Sequence, residues 1–148
     1  MAKSKILVTG VTGQLGMEFC SFKSDSFEII GVRRKDADIR DYKQVIKVVN
    51  KHEPEIIIHT AAMTDVDACE KEQDLAMAIN CSGARNVALA AQKSNAAIIY
   101  VSTDYVFDGT KQCAYVESDA TNPISHYGHS KLMGEKAVIE FHGKWTII

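Results

Sequence analysis

The feature that most constrains this chain is an alternation of short β-branched segments with longer segments of helical periodicity. This alternation is typical of a parallel sheet with helices on both faces, because parallel strands need crossover connections. We predict strands at residues 6–9, 29–32, 56–59 and 98–102, a last strand opening at Trp145, and a short extended piece at Asp38-Ile39. We expect each strand to be buried on both faces. The predicted fold class is α/β, a doubly wound parallel sheet of the Rossmann type.

Three predicted helices separate the later strands. One carries the apolar residues of 45–49 and ends before Pro54, a second runs from about Asp74 to Ser94, and a third from Ser125 to about Phe141. The 148 residues contain no repeat and no linker, so residues 1–148 are predicted to form one domain. Because the chain stops inside a predicted strand, we expect it to be truncated there.

Composition excludes several classes of partner. A net charge of −2 creates no strong field, which argues against nucleic acid and acidic membrane surfaces. The longest apolar run, residues 96–101, is far shorter than the roughly 20 residues of a membrane-spanning helix. The four cysteines have neither metal-site nor disulfide spacing, so a reducing cytoplasm is the expected location.

A glycine run joins the first strand to the helix after it. In Gly10-Val-Thr-Gly13-Gln-Leu-Gly16, Gly10 can make the tight turn, Gly13 can let the backbone approach a pyrophosphate, and Gly16 can let the helix pack closely. N–H groups at a helix N-terminus favour such an anion. The run therefore predicts a dinucleotide site, and a glycine turn without a ligand is the alternative.

The residues after the second and third strands bear on the cofactor. Arg33-Arg34 stands where an NAD site would carry an acid, which favours the 2′-phosphate of NADP, although two solvated arginines would look the same. Asp38-Ile39 is placed to lie against adenine. The small residues of 60–64 leave room at the carboxyl edge of the sheet.

A tyrosine and a lysine form the candidate proton-transfer pair. Tyr127 and Lys131 are four residues apart, so on a helix they share one face. A neighbouring cation favours the phenolate, and we therefore predict that Lys131 lowers the pKa of Tyr127. Thr103, which follows the fourth strand together with Ser102, supplies a hydroxyl that can polarise a carbonyl. Together these groups predict a carbonyl reductase site.

The chain resembles the extended short-chain dehydrogenases, and within them most closely the dTDP-4-dehydrorhamnose reductases. The resemblance rests on Ile6 to Gly10 with Gln14-Leu-Gly16, Ala61 to Asp67 with Glu70, Asn80, Ser102 to Gly109, and Tyr127-Gly-x-Ser-Lys131 with Gly134-Glu135. Two positions depart from the family pattern: Met63 replaces a usual aromatic residue, and Arg33 stands where some members carry an acid. The family continues with a C-terminal region that closes over a nucleotide-sugar, and we expect that region to be missing here.

The resemblance implies NADPH-dependent reduction of the 4-keto group of a nucleotide-activated deoxysugar, with dTDP-4-dehydro-L-rhamnose as the expected substrate and NADH as the alternative cofactor. Motifs and resemblance together predict as cofactor-binding residues Gly10, Gly13, Gln14, Leu15, Gly16, Arg33, Arg34, Asp38, Ile39, Ala61, Ala62, Met63, Thr64, Ser102, Tyr127 and Lys131. The resemblance places Val66, Thr103, Asp104 and Tyr105 on the nucleotide-sugar and lets Asn80 brace the sheet. A homodimer of the full-length protein is compatible with it.

Three alternatives stay open. Sugar-nucleotide dehydratases resemble one another in carrying Asp-Glu after the threonine, whereas here Tyr105 follows Asp104, which favours simple reduction. An epimerase would need the ketosugar to rotate in the site, and no residue of the sequence indicates whether it can. The third is a regulatory subunit such as the β-subunit of methionine adenosyltransferase, which resembles the same family and binds a partner without catalysis.

No metal site is predicted. His126 and His129 are three residues apart but lack a third ligand at suitable spacing. Asp65, Asp67 and Glu70 form an acidic cluster of the kind that normally faces water. Magnesium is therefore left unassigned.

Overall fold

The computed structural model describes residues 3–148 and contains one five-stranded parallel sheet in the order β2-β1-β3-β4-β5. The strands are β1 (Ser4–Thr9), β2 (Phe27–Val32), β3 (Ile56–His59), β4 (Ala97–Tyr100) and β5 (Trp145–Ile147). The chain leaves β1 in one direction to form β2 and then crosses back to form the other three strands. The switch point of this doubly wound sheet therefore lies between β1 and β3.

Six α-helices connect and cover the strands. They are α1 (Gln14–Ser21), α2 (Tyr42–His52), α3 (Val66–Lys71), α4 (Gln73–Met77), α5 (Ala84–Ser94) and α6 (His126–Phe141), and a π-helical segment, Ala78–Gly83, joins α4 to α5. Right-handed crossovers place α1 on one face of the sheet and α2, α5 and α6 on the other, where α2 packs on α5 and α5 on α6. In residues 3–148 no helix has the length and apolar character to cross a membrane.

Polar side chains mark the helix ends. Asp41 accepts the Lys43 N–H at the start of α2, and Ser125 accepts the Gly128 N–H at the start of α6. Such caps satisfy backbone donors that the first helical turn leaves free. At the end of α5, Asn95 takes the left-handed conformation with a φ of 59° and closes the helix.

The main core lies between the sheet and the layer of α2, α5 and α6. Leu7, Ile57 and Ile98, from three adjacent strands, pack there against Val49 and Val87 of the helices, and all five are at most 2% exposed. Each such side chain contributes about 1.5–3 kcal/mol when fully buried. This burial fixes the register of the three central strands and so fixes where their carboxyl ends lie.

The structure corrects several expectations. The edge strands β2 and β5 are largely exposed, because β2 packs mainly on α1 and β5 mainly on α6, so the expectation of burial on both faces is wrong for them. Asp38-Ile39 belongs to an irregular turn rather than a strand. The helix predicted over 74–94 is present but contains the π-helical segment, and α3 was not predicted.

Candidate functional site

The glycine turn after β1 brings three pieces of backbone close together. Gly10 has a φ of +75°, and a Cβ atom there would lie 2.6 Å from backbone atoms of Ala61. A Cβ atom on Gly16 would lie 2.5 Å from Gly10 O, so α1 packs directly on the turn. The Gly13 N–H donates to Gly10 O at 3.0 Å, and α1 begins at the next residue. The N-terminus of α1 therefore opens at the carboxyl end of β1.

The loop after β3 is held from two sides. Thr60 Oγ1 donates to Thr9 O at 2.6 Å, and the Ala61 N–H reaches Thr9 Oγ1 at 3.4 Å. The side-chain amide of Asn80 accepts the Met63 N–H at 2.8 Å and donates to Met63 O at 2.9 Å. Asn80 thus braces this loop, and its backbone O also accepts from the hydroxyl of Tyr100, the last residue of β4, at 3.4 Å.

His59, the last residue of β3, contacts Thr9, the residue to which this loop is bonded. It is 1% exposed, its Nδ1 lies 2.7 Å from Thr9 Oγ1, and its Nε2 finds no hydrogen-bond partner among residues 3–148. Burial, reinforced by the Lys131 ammonium, lowers the pKa of His59 to about 3. His59 is therefore neutral at physiological pH. The sequence predicts the burial of this strand but not the role of His59, because its contact with Thr9 joins two strands that are distant in the chain.

The two arginines after β2 have different surroundings. Arg33 Nε pairs with Asp36 Oδ2 at 3.1 Å, and its side chain lies outside the large cavity described below. Arg34 lines that cavity, with its Nε 3.4 Å from Asp38 Oδ2. Arg40, which the sequence analysis did not single out, lines the cavity too. Of the predicted pair, Arg34 is at the site, and Arg40 joins it there.

Tyr127 and Lys131 lie one turn apart on α6, and both are buried, at 9% and 2% exposure. Lys131 Nζ donates to Val101 O at 2.6 Å and lies 4.1 Å from the centre of the Tyr100 ring. These contacts hold the ammonium at the carboxyl end of β4. Burial lowers the pKa of Lys131 to about 8, so the group is still charged at neutral pH.

The pKa of Tyr127 moves in the direction opposite to the prediction. Burial raises it, and the nearby Thr103 hydroxyl opposes that effect with a smaller one. Lys131 directs its ammonium to a backbone carbonyl rather than to the phenol. The prediction of a phenolate favoured by the lysine is therefore wrong. Tyr127 is a neutral phenol at neutral pH, because the buried oxygen has lost hydration that would stabilise its anion.

The segment after β4 packs on the start of α6. Thr103 Oγ1 accepts the Tyr105 N–H at 3.2 Å and begins the 3₁₀ turn Asp104–Val106. The Tyr105 ring meets the Tyr127 ring edge-on, with the centroids 5.6 Å apart. A Cβ atom on Gly128 would clash with Tyr105 O, so this glycine permits the close approach. The Thr103 hydroxyl is close enough to the phenol of Tyr127 to lower its pKa.

A cavity of about 650 Å³ runs along the carboxyl edge of the sheet, at the switch point between β1 and β3, where open α/β sheets bind ligands. The predicted residues that line it are Gly10, Gly13, Gln14, Leu15, Gly16, Arg34, Asp38, Ile39, Thr60, Ala61, Ala62, Thr64, Ser102, Tyr127 and Lys131. The lining residues that were not predicted are Thr9, Thr12, Val32, Ala37, Arg40, Ile79 and Val101. One continuous space thus joins the glycine turn to the tyrosine–lysine pair.

Other predicted residues lie outside this cavity: Arg33, Met63, Val66, Thr103, Asp104 and Tyr105. Met63 and Val66 pack against a small cluster that contains Tyr127. Tyr105, next to the same tyrosine, is 48% exposed. A cofactor contact of Met63 and a substrate contact of Val66, Thr103, Asp104 and Tyr105 stay predictions.

The candidate metal positions have structural contacts. Asp65 accepts the Ala68 N–H at the start of α3. Glu70 Oε1 accepts the His126 N–H at 2.7 Å and so joins α3 to α6. In the described range 3–148, His, Cys, Asp and Glu side chains form no group of three or more that could hold a metal ion.

Sheet order and cavity together define a doubly wound α/β protein of the Rossmann type. The chain belongs to the family described as the RmlD substrate binding domain, which matches residues 4–148. It is 38% identical over 141 residues to a dTDP-4-dehydrorhamnose reductase of Burkholderia thailandensis, an alignment that covers 95% of this chain and 47% of that protein. It is 40% identical over 136 residues to the spore coat polysaccharide biosynthesis protein SpsK of Bacillus subtilis, covering 91% and 48%.

Solved structures agree with this membership. A dTDP-4-dehydrorhamnose reductase of Bacillus anthracis, determined in complex with NADP, has a TM-score of 0.97 and 44% identity and covers 99% of this chain and 53% of that one. An orthologous reductase of Clostridium acetobutylicum has a TM-score of 0.93 at 43% identity, covering 97% and 51%. The chain thus spans about half the length of the relatives that it matches.

Proposed function

We propose that this chain binds NADPH and forms the cofactor-binding part of a reductase that acts on the 4-keto group of a nucleotide-activated deoxysugar. The observation that carries the proposal is the cavity, which joins the glycine turn, Arg34 and Arg40 to Tyr127 and Lys131. A cavity that joins these residues can hold phosphates at one end and a reacting group at the other.

The residues present fit an NADP-type dinucleotide. Side chains at Gly10 and Gly16 would collide with backbone, so this wall of the cavity is bare peptide beside a helix N-terminus, which suits a pyrophosphate. Arg34 and Arg40 supply positive charge farther along the cavity. Its volume of about 650 Å³ lies within the usual range for ligand pockets. NADPH, when bound, supplies the hydride for the carbonyl carbon.

The chain's own contribution to the reduction is the proton. Tyr127 is protonated at neutral pH, since burial raises its pKa, and a protonated acid is what a reduction requires. It donates this proton to the carbonyl oxygen while negative charge develops there. Thr103, whose hydroxyl lies beside the phenol, donates a second hydrogen bond to the same oxygen. The tyrosinate left behind regains a proton from water at the open cavity.

Lys131 orients the cofactor through the donors of its ammonium group. An ammonium has three N–H donors, and Val101 O takes one of them. The others are available to a ribose in the cavity that Lys131 lines.

The substrate, dTDP-4-dehydro-L-rhamnose, is supported by the relatives, several of which are named dTDP-4-dehydrorhamnose reductase at 36–39% identity. Residue chemistry favours reduction over dehydration: Asp104 is followed by Tyr105, so the second carboxylate typical of the dehydratases is replaced by a phenol. The reduction product is dTDP-L-rhamnose.

The test is NADPH oxidation, followed by absorbance, by the whole protein, supplied with dTDP-4-dehydro-L-rhamnose. Residues 1–148 alone should bind NADPH without measurable turnover, because the region that closes over the nucleotide-sugar is needed to align the carbonyl. We expect oxidation that depends on the ketosugar and yields one product molecule per NADPH. The control is the same mixture with dTDP-L-rhamnose, which has no keto group to reduce. NADPH binding without turnover, together with co-purification of a methionine adenosyltransferase, would instead establish the regulatory-subunit alternative.

We place this activity in the cytoplasm. The four cysteines, all within the described residues, are free thiols, which suits a reducing compartment. A homodimer of the whole protein is a further prediction, and light scattering of the purified protein checks it.

A further inference from the structure

The turn after β2 brings three charged side chains together at the cavity. Arg40 binds Asp38 side by side, with Nε 3.0 Å from Oδ1 and Nη2 2.6 Å from Oδ2. Arg34 approaches Asp38 Oδ2 with its Nε at 3.4 Å. Gln44 Oε1 accepts the Asp38 N–H at 3.0 Å and ties this turn to α2. We call Arg34, Asp38 and Arg40 the arginine clamp.

The clamp carries a net charge of +1, from two guanidinium groups and one carboxylate. Hydrogen bonds from Arg40, with a smaller contribution from Arg34, hold the pKa of Asp38 well below its usual range, so the carboxylate is ionised throughout the physiological range. Both of its oxygens are engaged by Arg40. Asp38 is thus paired with a cation, unlike the unpaired acid near the end of β2 that receives ribose hydroxyls in an NAD site.

The arginines keep donors for another anion. Each guanidinium has five N–H donors, and those of Arg40 Nη1 do not point to Asp38. Arg34 is 74% exposed and Arg40 34% exposed, so both are accessible from the cavity that they line. Two guanidinium groups around one point are well suited to grip a phosphate.

We infer that Arg40, held by Asp38, is the residue that selects a 2′-phosphate on the adenosine ribose, together with Arg34 and without Arg33. This inference rests on the proposed function only for the identity of the cofactor. Arg33 carries the same charge and neighbours Arg34 in sequence, but it is bound to Asp36 and lies outside the cavity. Specificity is thus assigned to a residue six positions beyond Arg34.

The experiment measures binding and needs no substrate. Isothermal titration of the protein with adenosine 2′,5′-bisphosphate and with adenosine 5′-monophosphate gives the affinity ratio that reports recognition of the 2′-phosphate. We expect Arg40→Ser to weaken bisphosphate binding by about 10- to 100-fold, the loss of a charge-assisted contact. Binding of the monophosphate should stay within about twofold of the parent, because this ligand has no 2′-phosphate for Arg40 to contact.

Arg33→Ser is the matched control, since it removes the same charge nearby. We expect it to change the affinity ratio by less than about twofold, because screened charges outside the cavity act weakly. An equal loss in both variants would show that overall charge, not the clamp, sets the preference. An equal loss for both ligands in Arg40→Ser would show that Arg40 only shapes the adenosine site.

Either of those outcomes overturns the inference. The result is also separable from the proposed function. If the parent fails to reduce the ketosugar but keeps a ratio that depends on Arg40, the reductase proposal falls and the clamp stands. If the parent reduces the ketosugar and the ratio is indifferent to Arg40, the inference alone fails.

Discussion

The two ends of the cavity are built by different means. At the glycine turn the wall is backbone, and its shape depends on side chains being absent at Gly10 and Gly16. At the other end the function depends on side chains being present, since Tyr127 and Lys131 are buried on one face of α6. The comparison teaches that the first end is specified by sterics and the second by desolvation. Substitutions should therefore separate the two.

The largest effect is expected at the side-chain end. Tyr127→Phe removes the proton donor but little volume, so ketosugar reduction should fall by about 10²- to 10⁴-fold. NADPH binding should stay within about twofold, because the backbone end is untouched. Absorbance assays and fluorescence titration measure the two quantities. Tyr42→Phe, at the start of α2 and away from the cavity, is the matched control and should keep full activity.

If Tyr127→Phe retained activity within tenfold of the parent, the proton would have another source. A loss of NADPH binding as large as the loss of turnover would contradict the separation of the two ends.

The next effect breaks the backbone end. A Cβ atom on Gly16 meets backbone atoms at 2.5–2.9 Å, so Gly16→Ala should lower the free energy of unfolding by about 3 kcal/mol. Gly13→Ala places its Cβ atom at an ordinary 3.4 Å from Gly10 O and should cost less than about 1 kcal/mol. Urea denaturation followed by circular dichroism measures both. Equal destabilisation of the two variants would refute the steric account of this end.

Gly13→Ala also sharpens the comparison, because it should fold while its methyl group obstructs a pyrophosphate. We expect its NADPH affinity to fall by about tenfold or more, a loss of at least about 1.4 kcal/mol. Unchanged NADPH affinity in the folded variant would mean that phosphate does not approach the backbone at this position.

The smallest effect concerns His59, which lies beneath both ends. Its pKa is lowered from 6.5 to about 3, so the folded protein binds this proton less readily than the unfolded chain. The stabilising contribution is complete above about pH 6.5 and is lost as the pH falls toward 3. From pH 6.5 to pH 5 the free energy of unfolding should drop by about 2 kcal/mol through this group.

His59→Asn replaces the imidazole with a group that does not titrate, so its unfolding free energy should depend less steeply on pH over that interval. Urea denaturation of both proteins at pH 6.5 and pH 5 tests the slope. His129→Asn, a substitution on the exposed surface of α6, should keep the slope of the parent. An unchanged slope in His59→Asn would show that this imidazole is protonated in the folded state.

The features of this fold and site that could be predicted from the sequence are the local ones. The strands, the glycine turn and the shared face of Tyr127 and Lys131 were predictable, because periodicity and spacing are local properties. The direction of the Tyr127 pKa was not. Spacing shows that a cation is near. Only the packed structure shows that Lys131 bonds to Val101 O and that burial raises the pKa of Tyr127.

Residues 33–41 show the same limit in another form. Arg33 and Arg34 are adjacent in sequence, yet Arg33 pairs with Asp36 whereas Arg34 lines the cavity. Arg40 contacts the same carboxylate as Arg34, that of Asp38. The segment between the two arginines is irregular and has no periodicity from which the position of Arg40 could be predicted. Where the backbone is irregular, side-chain position depends on tertiary contacts such as that between the Asp38 N–H and Gln44.

The π-helical segment has a consequence for how this cavity tolerates changes in chain length. A π segment accommodates one residue more than an α-helix would in the same span. Deleting one residue from 78–83 would restore α-helical bonding with the flanking helices in register, so the residues of the segment itself would shift. Asn80 would then move away from Met63, whose backbone N–H and carbonyl are both bound by its side-chain amide. The loop beside the cavity is therefore sensitive to a one-residue deletion in this segment, whose Ile79 also lines the cavity.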